Sequence, residues 1–275
     1  MAADRRLLPV GVFDSGIGGL TVLKALCERL PGESFLYLGD TARLPYGTKT
    51  PGTVERYALQ AVAELVRRGV KAVVVACNTA SAAALPALRV AHPDLPVIGV
   101  IEPGAAAAVA ATRSGRIAVL ATEGTVRGGA YQRAIHVLRS DAQVSATAAT
   151  LFVALAEEGW TQGEIALATA RRYLAPLFVQ ADAAPDVLVL GCTHFPPLAG
   201  VIREVTGDGL HIIDSARTTA DALARLLSIH DAVAPDVGAG TVRFLVTDGE
   251  ERFARVGPLF FGRAIAPAAV ERVDL

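Results

Sequence analysis

Apolar residues in this chain fall in short runs that stop on polar or small residues, with longer segments of helical spacing between them. The first run covers residues 8–13 and stops on Asp14-Ser15-Gly16-Ile17-Gly18-Gly19, after which residues 20–30 carry apolar side chains every three or four positions. Strand, glycine-rich turn and helix in that order make the unit of an α/β fold. The pattern predicts further strands over 34–38, 70–76 and 96–101, and helices over 53–68, from 78 to about 88, and from 102 to about 112. From residue 116 the order starts again. Strands are predicted over 116–121, 142–148, 187–190 and 211–213, with helical segments over 128–138, 151–159, 162–178, from 195 onward, and 218–229. A Pro/Gly/Ala/Asp linker over 231–240 leads to a tail with a strand over 241–247, a short helix over 250–256 and an extended piece from 258. Two similar α/β halves with mostly parallel sheets, plus a tail too short to fold alone, account for all of it.

Within this pattern one device occurs twice. Residues 73–81 read Val-Val-Val-Ala-Cys-Asn-Thr-Ala-Ser, and residues 187–194 read Val-Leu-Val-Leu-Gly-Cys-Thr-His. Each is a buried strand, a small residue, a cysteine and then threonine within two positions. A thiol at the carboxyl end of a strand and the amino end of a helix sits where unpaired N–H groups and the helix dipole favour the thiolate. Cys77 and Cys192 hold that place, one in each half, whereas Cys27 lies inside the first predicted helix and reads as core. Taken singly, a cysteine ending a buried strand is most often inert filler. The repetition is what suggests chemistry.

Composition narrows the options. The chain has 275 residues, is 52% hydrophobic and carries a formal net charge of -1. No cationic block is present to neutralise a run of phosphates or an anionic membrane, so neither nucleic acid nor membrane is expected as a partner. No apolar run reaches the roughly 20 residues of a spanning helix, which points to a cytoplasmic protein. Three cysteines without regular spacing do not form a disulfide framework.

Three readings of the two cysteines remain. Cys77, Cys192, His194 and Asp14 could supply metal ligands, but the chain lacks the closely spaced pairs that such sites usually show. A Cys/His hydrolase would use one thiol and leave the other idle. The glycines after Asp14 do not complete a dinucleotide fingerprint, because Thr21 stands where the third glycine is required. Two thiols facing one cleft suit proton transfer at a carbon, one removing a proton and the other returning one to the opposite face. With only Lys24, Lys49 and Lys71 available, none in a convincing site, a lysine-bound pyridoxal cofactor is not expected. Asn78, Thr79 and Thr193 stand at predicted helix starts, suited to holding a carboxylate.

The residues that carry this reading also carry a family likeness. Five segments, 11–20, 39–47, 76–80, 122–131 and 190–197, make the chain resemble the glutamate racemase family of cofactor-independent amino-acid racemases over nearly its whole length. The resemblance implies two α/β domains, 1–101 with 214–275 and 102–213, and an active site in the cleft between them. It implies Cys77 and Cys192 as the acid/base pair, assisted by Asp14, His194 and Glu157, with no metal and no cofactor. Asp14, Ser15, Tyr46, Gly47, Asn78, Thr79, Thr125, Thr193 and His194 match positions that receive the substrate, glutamate, and family members commonly form homodimers. Thr150 and Ala154 depart from the prolines often found before the acidic residue that Glu157 resembles. An aspartate or hydantoin racemase, or an amino-acid-binding regulatory protein on the same fold, are the alternatives, and the Pro45-Tyr46-Gly47 loop favours glutamate.

Overall fold

The computed structural model describes residues 4–179, 184–235 and 238–275. In the first half, β1 (Val10–Asp14), α1 (Leu20–Arg29), β2 (Phe35–Gly39), α2 (Pro51–Arg67), β3 (Ala72–Val75), α3 (Asn78–Ala91) and β4 (Val97–Gly99) follow one another. Next come α4 (Ile101–Ala111), β5 (Arg116–Ala121), α5 (Glu123–Gly128), α6 (Ala130–Leu138), β6 (Gln143–Ala148), α7 (Leu151–Glu157), α8 (Gly163–Leu174), β7 (Val187–Gly191), α9 (Ala199–Thr206) and β8 (His211–Asp214). The chain ends with α10 (Ser215–Ile229), β9 (Val242–Val246), α11 (Glu250–Val256), α12 (Pro258–Phe261) and β10 (Val270–Arg272).

These strands form two sheets, ordered β10-β9-β2-β1-β3-β4 and β6-β5-β7-β8. Every pairing is parallel. The run β2-β1-β3-β4 in the first sheet has the same connectivity as β6-β5-β7-β8 in the second, so the sequence repeat is a repeat of topology. In each sheet the chain leaves the central strand towards one neighbour and returns on the other side, which opens a crevice at the carboxyl edge between β1 and β3, and between β5 and β7. Asp14 ends β1 and Cys77 follows β3; Thr122 follows β5 and Cys192 follows β7. The cysteines therefore stand at equivalent points.

Burial follows from position in the sheet. The central strands β1, β3 and β7 are buried along their whole length, as both faces of a parallel sheet must be covered. The edge strands β6 and β8 are only partly buried. One hydrophobic cluster runs without a break from Val12 and Leu23 on one face of the first sheet to Val119 and Leu188 in the second. A smaller cluster, with Phe13, Val62 and Val75, fills the other face of the first sheet beneath α2 and α3. Helix α10 packs on α1 and on α4, and so joins the two halves.

Several elements differ from expectation for local reasons. The helix expected over 128–138 begins at Ala130, because Gly129 takes a left-handed conformation (φ 61°) open to glycine and separates it from a short helix, α5, that the pattern did not predict. Helix α10 begins at Ser215 rather than 218, because the Asp214 carboxylate accepts the Ala216 N–H at 2.8 Å and caps it. The helix expected to 178 passes into a tighter 3-10 turn over Ala175–Phe178, where Pro176 removes an amide donor. Residues from 258 are not extended at first: Pro258 opens a helical turn closed by a left-handed Gly262, and the extended piece comes at β10. The linker over 231–240 falls partly outside the described residues. No helix among the described residues is long and apolar enough to cross a membrane.

Candidate active site

A cavity of about 300 Å³ opens between the carboxyl edges of the two sheets. Its wall brings together Ser15, Tyr46, Gly47, Cys77, Asn78, Thr79, Glu157, Cys192, Thr193 and His194, ten of the residues singled out from sequence. Asp14 and Thr125 do not reach it. Both are buried directly behind the wall, Asp14 with no exposed surface.

The first thiol belongs to the residue that caps α3. Cys77 Sγ accepts the Ala80 N–H at 3.4 Å, the contact expected of a thiol at a helix start. That contact alone is too weak to acidify it. Burial, reinforced by the negative charge of Asp14, pushes Cys77 up to about 12, and the Ser15 hydroxyl and the Ala80 N–H only partly oppose this. The resting side chain is the neutral thiol, contrary to the depressed value expected from the helix dipole alone. Burial also raises the Asp14 carboxyl, against the charge of His194 and the backbone N–H groups of its own loop. Of those, Gly16 donates to Asp14 Oδ2 at 2.9 Å, while Oδ1 is buried without a partner.

The second thiol is held differently. No helix starts on Cys192; residues 192–195 form a turn, and the first helical residue is Pro196. The turn brings His194 back onto the thiol, with Nδ1 3.8 Å from Cys192 Sγ. On its other side His194 Nε2 lies 3.0 Å from Glu157 Oε1, and the ring edge meets Phe260 at 5.3 Å between centroids. Burial works against charge on His194, but the hydrogen bonds to Cys192 and Glu157 prevail and raise it to about 10. For Glu157 burial is again overcome, by His194 and by Arg252, which hold it down at about 2. The neighbouring Glu158 faces solvent.

These shifts fix how stability depends on pH. Glu157 contributes fully above its ordinary value of 4.5 and loses that contribution as pH falls through about 2. His194 contributes fully below 6.5 and loses its contribution as pH rises through about 10. The Tm difference between the wild type and His194→Asn should therefore be largest from pH 4.5 to 6.5 and narrow on either side. Thermal melts of both proteins from pH 3 to 10 on the scale set by these groups test this, and a constant difference would contradict it.

Polar groups between the thiols are oriented by both halves. Tyr131, from α6, donates to Asn78 Oδ1 at 2.8 Å, which leaves the Asn78 amide nitrogen buried and without a partner. Thr79, Thr122 and Thr125 form a ring of hydroxyls with edges of 2.9, 3.1 and 3.3 Å, joining the start of α3 to the start of α5. The loop that carries Tyr46 is fixed by Asp40, which accepts from the Tyr46 hydroxyl, from Arg43 Nε at 2.6 Å and from Thr247 at 2.9 Å. Gly47 has no room for a side chain, since a Cβ there would press on Thr122 across the cleft at 2.8 Å.

Sequence reasoning passed over Asp40, Tyr131 and Arg252 as site residues. Asp40 stood in a noted loop and Tyr131 at the end of a noted segment, so a signal existed for both. Arg252 had none, being 95 residues from the carboxylate it meets. On the apolar side of the cavity Pro45 belonged to the loop already singled out, whereas Leu44, Val153 and Ala154 had been given no part in the site.

Two buried thiols at equivalent sheet edges line one small cavity with polar groups between them, on a fold of two parallel α/β sheets. The chain belongs to the Asp/Glu/hydantoin racemase family, whose pattern it matches over residues 18–223. Among its relatives, the glutamate racemase of Geobacter metallireducens is 50% identical, with 92% of each chain covered. Solved structures agree. A glutamate racemase isoform from Bacillus anthracis superposes with a TM-score of 0.92 at 36% identity over 98% of both chains. The Francisella tularensis glutamate racemase, in complex with D-glutamate, gives 0.90 at 34% over 98% of both chains.

Proposed function

We propose that this protein interconverts L- and D-glutamate without a cofactor, with Cys77 and Cys192 as the two acid/base groups. The observation that carries the reading is the pairing itself: each cysteine ends a strand at the crevice of its own sheet, and both line the same cavity. With the α-carbon between them, one sulfur as thiolate takes the α-proton and the other, as thiol, delivers a proton to the opposite face. The electron pair left on the α-carbon spreads into the adjacent carboxylate. After one turnover the two sulfurs have exchanged protonation states, which prepares the site for the other enantiomer.

The remaining residues take roles suited to this. The Asn78 amide nitrogen, the Thr79 and Thr193 side chains and Ser15 supply donors for the carboxylates, aimed before substrate arrives. Asp14 stands behind Cys77, and His194 with Glu157 behind Cys192, each able to share the charge its cysteine gains or loses. Tyr46 and Gly47 cover the substrate from the first half, and Thr125 braces Thr79. Residues 1–101 with 214–275 and residues 102–213 are the two domains on this reading, in a cytoplasmic homodimer whose product enters peptidoglycan.

Incubation with L-glutamate in deuterated water, with no metal or pyridoxal added, tests the proposal. The expected product is D-glutamate carrying deuterium at the α-carbon, detected by chiral chromatography and mass spectrometry. Absence of both label and D-isomer would refute it. Aspartate and hydantoins in the same assay separate the glutamate reading from the related activities, and turnover of either in preference to glutamate would replace it.

A further inference from the structure

Arg252 matches none of the segments that carry the family likeness, yet it ends a line of alternating charge that begins at a thiol. Glu157 uses both of its oxygens: Oε1 meets His194 Nε2 at 3.0 Å, and Oε2 meets Arg252 Nη2 at 2.8 Å. His194 continues through Nδ1 to Cys192 Sγ at 3.8 Å. The line runs from a half-exposed guanidinium through a carboxylate that is 14% exposed to a buried imidazole and a buried sulfur.

The two ends of this line are fixed to different parts of the fold. Arg252 lies in α11, where its neighbour Phe253 is buried against Tyr37 of β2 and Phe244 of β9, with ring centroids 5.8 Å away in both cases. The guanidinium is thus anchored to the first sheet. Glu157 is the last residue of α7, beside the second sheet. A carboxylate bound only to His194 can swing about its side-chain torsions, whereas one gripped on both oxygens by groups from opposite sides keeps one orientation. Among the described residues Cys77 has no such line: Asp14 behind it is held by N–H groups of its own turn.

We propose that Arg252 is a positioning residue for the reaction, acting through Glu157 to aim His194 at Cys192, so that the tail of the chain sets the Cys192 arm of the site and not the Cys77 arm. This rests on the assignment of Cys192 as an acid/base group. Arg252 touches Glu157 through a single nitrogen, so lysine can replace it in part and glutamine cannot.

The test compares wild type, Arg252→Gln, Arg252→Lys, Glu157→Gln and the double variant Glu157→Gln/Arg252→Gln. Alkylation by iodoacetamide is followed at each cysteine separately by peptide mass mapping, alongside kcat/KM for both glutamate enantiomers. Arg252→Gln should slow alkylation of Cys192 about fivefold, the scale of a half-exposed ion pair, and leave Cys77 unchanged. Its kcat/KM should fall by one common factor in both directions, since the enantiomers are equal in free energy. Arg252→Lys should recover most of both losses, and Arg252→Gln should add nothing in the Glu157→Gln background. An unchanged Cys192 rate, equal slowing of both cysteines, or an undiminished further loss in the Glu157→Gln background would overturn the inference. A wild type that fails to racemise glutamate would instead overturn the proposed activity, leaving the alkylation rates to judge Arg252 by themselves.

Discussion

Replacing Cys77 or Cys192 by serine should lower kcat/KM for racemisation by about 10²- to 10⁴-fold, the range spanned by a lost acid or base. The reason lies in the geometry of inversion, because the proton must leave one face of the α-carbon and another must arrive on the opposite face. One thiol cannot reach both. Serine keeps the shape of each side chain but not its acidity, and its hydroxyl neither takes up the role of thiolate nor gives its proton with comparable ease. Because the equilibrium lies midway between the enantiomers, each variant must lose kcat/KM equally in the two directions, even where the two kcat values differ. Circular dichroism at a wavelength absorbed by glutamate, started from each enantiomer in turn, measures this. A serine variant that keeps wild-type turnover would remove that cysteine from the mechanism.

The second large effect is expected at a residue with no functional group. A Cβ on Gly18 would fall on the His194 ring and on the Thr193 hydroxyl, both buried. Neither neighbour can retreat freely, since His194 is held by Glu157 and edged by Phe260, and the Thr193 carbonyl accepts from Thr21 at 3.1 Å. Gly18→Ala should therefore cost about 1–3 kcal/mol from overpacking. It should also displace the imidazole from Cys192, and a misplacement of about 1 Å at a reacting site is worth about 10² in rate. The expected result is a folded protein, melting several degrees lower, with kcat/KM reduced about a hundredfold. Activity within twofold of wild type at an unchanged Tm would show that the turn relaxes at no cost.

Much of this site was legible in the chain because its parts are local. Cys77, Asn78 and Thr79 follow one strand and Cys192, Thr193 and His194 follow another, so the end of an apolar run marks each cluster. The fold class was legible for the same reason: alternation of apolar runs and helical spacing is a short-range property. Features that depend on tertiary approach were not. His194 turns towards Cys192 because residues 192–195 fold into a turn ahead of Pro196, and Arg252 reaches Glu157 because the tail returns to the first sheet. The depressed thiol expected at Cys77 failed on magnitude. A helix start contributes a partial charge, whereas full burial removes solvent from the thiol and the nearby Asp14 carboxyl opposes a negative charge beside it.

The return of the tail has one more consequence, for the order in which the molecule is completed. All strands of the second sheet lie within residues 116–214, but β2 pairs with β9 across more than 200 positions, Phe35 with Val242. A chain made from its amino end can close every pairing of the second sheet while the first still has an open edge at β2. Contacts so distant in sequence are slow to form, since a long loop must be closed before any contact rewards it. Arg252 arrives only with that last closure, and so does Thr247, which meets Asp40 behind the Tyr46 loop, so both sides of the cleft take their final support from the last segment of the chain to be made.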